Sequence, residues 1–357
     1  MSRLAKVFEA KWQAFNLRRG VRVLVILLVP LIVLAAIGQE KYWIGVSFGA
    51  LLVGLADPGG DYAYRVSHMA VFAVIGALLT VLGFGIGRQA WGFAVLATFV
   101  ITLLAGLAVK FGLHRFAAAI ILNVWFVVVL TLPGAFQLDH IHTSGWAQAL
   151  AWLAGAALAI AYTGIVWLVR GRTAQPQPAA ELIPGDTAPV PLTRPVILFA
   201  VIRAAAVSIA VAVAFGLHVT DADWMPIATI AAMKPDLEQS TLAAEQRLAG
   251  AILGAAVAAL FLLTVHNKYA LEAVIIILGA LAGSIRTVSY TLYTAATAGF
   301  VLIAADLPHP SNLAAEGRRV LFTFIGVGIA VVVMFLASLL QKRTAKKAPP
   351  SPAPASA

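Results

Sequence analysis

The chain has 357 residues, 61% of them hydrophobic and only 11% charged, with a formal net charge of +10 and a mean hydropathy of +0.94. Soluble domains average about 45–50% apolar and about 25% charged, so this composition excludes an ordinary soluble protein and puts the chain in a bilayer. There is no cysteine, which excludes disulfides, thiolate metal sites and cysteine nucleophiles. The positive charge reads as topological and not as a nucleic-acid footprint, because Lys and Arg collect on the cytoplasmic loops of membrane proteins.

Residues 1–19 are basic and have neither an early apolar core nor a small-residue cleavage site, so they are not a cleavable signal. They are expected to lie as a basic amphipathic segment on the inner membrane surface. A helix that crosses the hydrocarbon layer needs about 17–25 apolar residues. Long apolar runs fall near 20–38, 66–84, 91–109, 115–132, 147–169, 196–217, 248–265 and 318–340, and shorter ones at 42–56, 224–233, 270–283 and 289–304. The expected fold is therefore an all-α polytopic membrane protein of about twelve transmembrane helices, with 224–233 open as a half-helix or re-entrant piece. Residues 20–169 make the first six-helix half and 196–340 the second. Between them, 170–195 is a Pro- and Ala-rich cytoplasmic linker, and 341–357 is a basic, then Pro/Ala/Ser-rich tail expected to be disordered.

Alternating the runs from a cytoplasmic N-terminus assigns nineteen Lys and Arg residues to the inside and five to the outside, with Arg203 left inside a span. That bias predicts both termini in the cytoplasm. Arg203, near the start of its span, is expected to snorkel toward the same side. The halves also share a pattern. Arg22 precedes Trp43 by the same distance as Arg203 precedes Trp224, and each half continues into a Pro-containing acidic turn that leads to an arginine, Arg65 or Arg247. LAGLAVKFG at 104–112 matches LAGSIRTVS at 281–289. Shared order and spacing imply a duplicated six-span unit, with the repeats parallel about an axis along the membrane normal. Gly250 with Gly254, and Gly326 with Gly328, are read as close helix packing.

The stretch WMPIATIAAMKPDLEQSTLAAEQRLAGAILG at 224–254 resembles the core signature of the fusaric acid resistance (FUSC) family of bacterial inner-membrane proteins. The resemblance rests on Trp224, Pro235, Thr241, Arg247, Gly250 and Gly254. The first half repeats it loosely through Trp43, Pro58, Arg65 and Gly76, with His68 where the first Gly would stand. The resemblance implies efflux of aromatic carboxylic acids and, more distantly, kinship with plant malate channels. Many members carry a sizeable cytoplasmic domain; here a linker of about 25 residues stands in its place.

Several side chains are candidates for that work. Arg65 and Arg247 open small-residue helices, where a helix N-terminus and a guanidinium together suit an anion. Arg286, Arg318, Arg319 and Trp224 complete the expected substrate contacts, although interfacial snorkelling and anchoring account for them equally. Asp57, Asp61, His68, Asp236 and Glu245 are the candidates for proton coupling or gating, with Asp57 and Asp61 both placed to pair with Arg65. His218, Asp221 and Asp223 cluster at an outer mouth. The chain shows no P-loop, HExxH or GxSxG motif, so no enzyme activity, cofactor or metal is expected. The reading is an inner-membrane exporter of small organic anions driven by the proton gradient or membrane potential. A tripartite arrangement would add a periplasmic adaptor protein, and a homo-oligomer is compatible with it. A passive anion channel and a non-transporting scaffold in envelope assembly remain alternatives.

Overall fold

A computed structural model describes residues 3–138, 140–169, 171–172, 191–216, 224–233, 237–265, 267–306, 318, 321–333 and 335–336. The linker core at 173–190, the tail from 337 and Asp236, Arg319, His218, Asp221 and Asp223 lie outside them. Every regular element among the described residues is helical. In chain order these are α1 (Arg3–Val7), α2 (Leu17–Ala36), α3 (Trp43–Leu55), α4 (Tyr62–Ile86), α5 (Trp91–Leu107), α6 (Leu113–Leu138), α7 (Gly145–Val169), α8 (Arg194–Gly216), α9 (Trp224–Ala232), α10 (Leu237–Thr264), α11 (Lys268–Ile285), α12 (Tyr290–Asp306) and α13 (Leu321–Val333). Seven of them, drawn from α2, α4 to α8 and α10, are long and apolar enough to cross a membrane, and α11, α12 and α13 contain shorter apolar stretches. The protein is a multi-pass membrane protein.

Local sequence accounts for the helix boundaries. Asn16 caps α2 by accepting from the Arg19 N–H, Asp61 caps α4 through the Ala63 N–H, and Asn267 caps α11 through the Tyr269 and Ala270 N–H groups. The short helix α3 ends three residues before Pro58, and the residue ahead of a proline is driven out of the α region; in the sequence α9 likewise ends three residues before Pro235. Nine residues of α9 rise only about 14 Å, well short of the ~30 Å hydrocarbon layer. Its buried residues, Met225, Pro226, Ala228, Thr229, Ile230 and Ala232, face protein, so the carbonyls at its ends need no lipid-facing position.

The helices pack through glycine and alanine. A methyl group added at Gly49 would strike the Trp152 backbone, and one at Gly155 the Val46 carbonyl, so α3 and α7 lie backbone to backbone. Trp125 and Trp152 stack at 4.6 Å in the core of the first half. Both indoles are satisfied, the first donating to Thr80 Oγ1 at 3.0 Å and the second to the Ala73 carbonyl at 2.9 Å. A similar close approach occurs where Gly326 of α13 meets the Met225 carbonyl of α9. Gly250 and Gly254 are tight against Thr294, Ala295 and Ala298 of α12, as their packing role predicts; Gly328 faces open space. Two further contacts join the halves. Gly106 of α5 lies against Ala200 of α8, and Gly283 of α11 lies against Val23 and the Arg19 carbonyl of α2. Apolar side chains such as Val71, Leu78, Leu96 and Leu150 stay exposed on the outside of the bundle, as a lipid-facing surface requires.

One expectation is corrected. Arg203 does not snorkel outward. It is 1% exposed, and its Nη2 donates to the Ile230 carbonyl at 3.0 Å. The N-terminal segment also bonds to the bundle. Its Lys11 N–H donates to the Val288 carbonyl, the Thr287 hydroxyl donates to the Ala14 carbonyl, and the Thr291 hydroxyl donates to the Val7 carbonyl. These bonds strap it over the α11–α12 turn, while Trp12 and Leu17 stay exposed.

Candidate functional site

The turn between α3 and α4, ADPGGDYAYR from Ala56 to Arg65, builds the densest charge cluster described. Asp57 accepts from the Gly59 N–H at 3.1 Å, and Gly59 and Gly60 follow at φ 70° and 87°. Only glycine takes that left-handed path readily, and it reverses the chain so that α4 climbs back beside Asp57. One turn into α4, Arg65 closes on it with two parallel bonds, Nε to Oδ1 at 2.9 Å and Nη2 to Oδ2 at 2.6 Å. The two side chains are 8% and 7% exposed. Burial by itself would push the Asp57 carboxyl up. The hydrogen bonds from Arg65 and the Gly59 N–H, with the charges of Arg65 and Arg22, outweigh it and hold the group below its ordinary range. Asp61 does not share the pair; it caps α4.

Arg22 of α2 is the third charge. It acts electrostatically on both Asp57 and Arg65. Its guanidinium carbon lies 5.3 Å from the centre of the Tyr162 ring of α7, within cation–π range. Its Nη2 faces Gly54 of α3, and its Nε and Nη2 are buried without a hydrogen-bond partner among the described residues. Beside it Tyr62 stacks on Trp167 at 4.4 Å. Two guanidinium groups thus face one carboxylate, and the cluster keeps a single net positive charge at the end of the bundle that also gathers Arg18, Arg19, Lys110 and Arg172. Such an arrangement attracts and holds anions.

The other expected residues are placed separately. Arg247, half-buried on α10, interacts with the Tyr290 hydroxyl of α12. Glu245 is half-buried one turn before Gly250. Arg286 ends α11 as its C-cap. Trp224 opens α9 and packs near Ala210, Ala214, Met225 and Phe322. His68 is half-buried on α4, its ring 6.1 Å from that of Tyr64. Arg318 is half-buried. At the opposite end of the bundle a cavity of about 610 Å³ is lined by Arg88, Phe136, Gln137, His140 and His142. Of the cluster itself, sequence reasoning named Asp57 and Arg65 but not Arg22, Gly54 or Tyr162. The signal was present in the equal spacing of Arg22–Trp43 and Arg203–Trp224.

Part of the chain is similar to a known family. Residues 190–333 match the sequence model of the family described as fusaric acid resistance protein-like. Over this segment the chain is similar to that family. No curated protein and no solved structure matches the chain. The matched segment holds Arg203, Trp224 and Arg247, whereas the Arg22–Asp57–Arg65 cluster lies outside it, in the first half.

Proposed function

We propose that the protein exports small organic anions across a bacterial inner membrane, with aromatic carboxylic acids as the class its family resemblance implies. The observation that carries this reading is the buried Arg22–Asp57–Arg65 cluster, a net positive charge held among apolar spans. Ionisable groups at such positions are costly and mark substrate or ion pathways. The basic bias puts this end of the bundle, and both termini, on the cytoplasmic side, so the cluster stands where an outgoing anion would first be met. The Asp57–Arg65 pair is the gate, its carboxylate giving way to a substrate carboxylate. Arg247, Arg286, Arg318, Arg319 and Trp224 are further contacts along the path, and Glu245, Asp236 and His68 the remaining candidates for proton coupling.

The two-repeat reading supports a path between the halves. α5 packs on α8 at Gly106 and Ala200, and α11 packs on α2 at Gly283 and Arg19. Ala200 and Arg19 stand at the same distance before Trp224 and Trp43. Two like units exchanging like contacts suit alternating access by rocking of one half on the other.

One observation favours a passive anion channel as the second reading. Asp57 is held below the ordinary carboxylate range, so the cluster itself offers no group that titrates near neutrality, and potential alone moves an anion at about 2.3 kcal/mol per 100 mV. Uptake of labelled benzoate into inverted membrane vesicles separates the two. Saturable uptake that collapses with the proton gradient marks a coupled exporter. Uptake that follows an imposed potential, with single-channel currents, marks a channel. Absence of uptake for a range of acids removes the transport reading and leaves a scaffold in envelope assembly.

A further inference from the structure

We propose that Arg22 is a carboxylate-binding residue whose Nε–Nη2 edge, set against the bare Cα of Gly54, receives one small monocarboxylate. The inference deepens the export reading and rests on it for its place in transport, though not for binding itself.

The neighbouring pair supplies the pattern. Arg65 holds Asp57 with Nε and Nη2, the side-on edge of the guanidinium, and that edge matches the two oxygens of a carboxylate. In Arg22 the same two nitrogens are sealed from solvent and have no partner among the described residues. A buried charge without hydrogen bonds is expensive to retain, so such a group calls for an explanation, of which a bound ion is one. Charge arithmetic fixes the ligand's valence. Arg22, Asp57 and Arg65 sum to one positive charge, which a monoanion neutralises and a dianion overshoots. The Tyr162 ring at 5.3 Å from the guanidinium carbon holds Arg22 in place without using its in-plane donors, because a cation–π contact engages the face and not the edge.

Gly54 gives the second handle. A methyl group added there would find its three nearest atoms all on Arg22, Nη2 at 3.0 Å, the guanidinium carbon at 3.5 Å and Nε at 3.8 Å. A side chain at position 54 therefore crowds the unpartnered edge itself. Arg203, which stands in the same place before Trp224, is different: its Nη2 is already taken by the Ile230 carbonyl at 3.0 Å.

The test is equilibrium dialysis of radiolabelled benzoate against the purified full-length chain in detergent, with acetate and the neutral isostere benzamide as competitors. Saturable binding displaced by acetate and not by benzamide is expected of wild type. Arg22→Gln should weaken it about 10- to 100-fold, the range for hydrogen bonds to a charged group. Arg22→Lys, which keeps charge but loses the fork, and Gly54→Ala, which crowds it, should each weaken it severalfold while leaving the ligand-free unfolding midpoint near wild type. If Arg22→Gln does not fold, these two variants decide. Wild type that binds neither acid, or variants that bind as wild type does, overturn the proposal. Arg22-dependent binding without vesicle transport would remove the export reading and keep the site. Transport that ignores Arg22 and Gly54 would do the reverse.

Discussion

Arg65 and Asp57 meet edge to edge across a two-glycine turn, Nε to Oδ1 at 2.9 Å and Nη2 to Oδ2 at 2.6 Å, with both side chains nearly sealed from solvent. Breaking a buried pair leaves an uncompensated charge, so Arg65→Met or Asp57→Leu alone should each cost about 3–5 kcal/mol. Replacing both partners by apolar residues of similar volume, Asp57→Leu with Arg65→Met, should cost much less than either single change, since no orphaned charge remains. A double-mutant cycle by chemical unfolding in detergent measures this. Simple additivity of the two single changes would show that the pair carries no mutual stabilisation.

The pair also has a pH signature. The Asp57 carboxyl sits below its ordinary range because Arg65, the Gly59 N–H and Arg22 together outweigh the cost of burial. A depressed carboxylate contributes stability above its unfolded pKa of about 3.9 and loses it as pH falls through the folded value. Its contribution should therefore be flat from about pH 5 to 8 and vanish only in stronger acid. Asp57→Asn should flatten that acid limb in a series of unfolding midpoints against pH. A limb centred near neutrality that disappears in Asp57→Asn would instead make Asp57 the proton carrier.

Much of the helix layout was legible in sequence because apolar runs and prolines act locally. Runs near 66–84, 91–109 and 147–169 became α4, α5 and α7, and α3 and α9 end three residues before Pro58 and Pro235 in the sequence. The Asp57–Arg65 pair was legible for the same reason, being eight residues apart across one turn. Arg203 was not. Its depth in the chain suits either an outward or an inward side chain, and only the rotation of α8 decides. The buried residues of α8 are mostly alanine and valine, from Ala200 to Ala214, so no polar stripe in the sequence sets that rotation. Arg22 was passed over because a basic residue near a span's start satisfies the positive-inside bias by itself. Its tie to Asp57 and Tyr162 runs between helices far apart in the chain. The strap formed by residues 7–14 depends on acceptors that are backbone carbonyls, Val7, Ala14 and Val288, and residue type says nothing of those.

Two glycines of α13 make a paired test of packing. Gly326 meets the Met225 carbonyl of α9, and the Thr229 hydroxyl lies 2.9 Å from the Gly326 carbonyl. A Cβ there would force backbone apart, with no flexible side chain to give way. Gly326→Ala should therefore lower the unfolding midpoint and the monodisperse yield, at the 1–3 kcal/mol typical of overpacking. Gly328, two residues on, faces open space. Gly328→Ala should be tolerated or gain about 0.5–1 kcal/mol, since alanine loses less backbone entropy in a helix. Equal effects of the two changes would contradict the observed rotation of α13.

Absence of cysteine makes orientation directly measurable, because each introduced thiol is the only one. α7 spans Gly145–Val169, 25 residues, about 37 Å of helix against a ~30 Å hydrocarbon layer. Its ends must therefore emerge on opposite sides. Trp146 is exposed at one end, Arg172 follows the other, and Leu192 is exposed just before α8. With both termini cytoplasmic, a membrane-impermeant maleimide should label Trp146→Cys in intact cells, and Arg172→Cys and Leu192→Cys only after permeabilisation. A full exchange of this pattern would invert the orientation and with it the direction in which the Arg22–Asp57–Arg65 cluster meets its anion, turning the export reading into one of uptake. Labelling of Trp146→Cys and Arg172→Cys from the same side would instead mean that α7 does not cross, and that the first half holds an odd number of spans. If Leu192→Cys parted from Arg172→Cys, the segment between α7 and α8 would itself have to pass through the bilayer, which its run of Pro, Gln, Asp and Glu between 175 and 186 makes prohibitively costly.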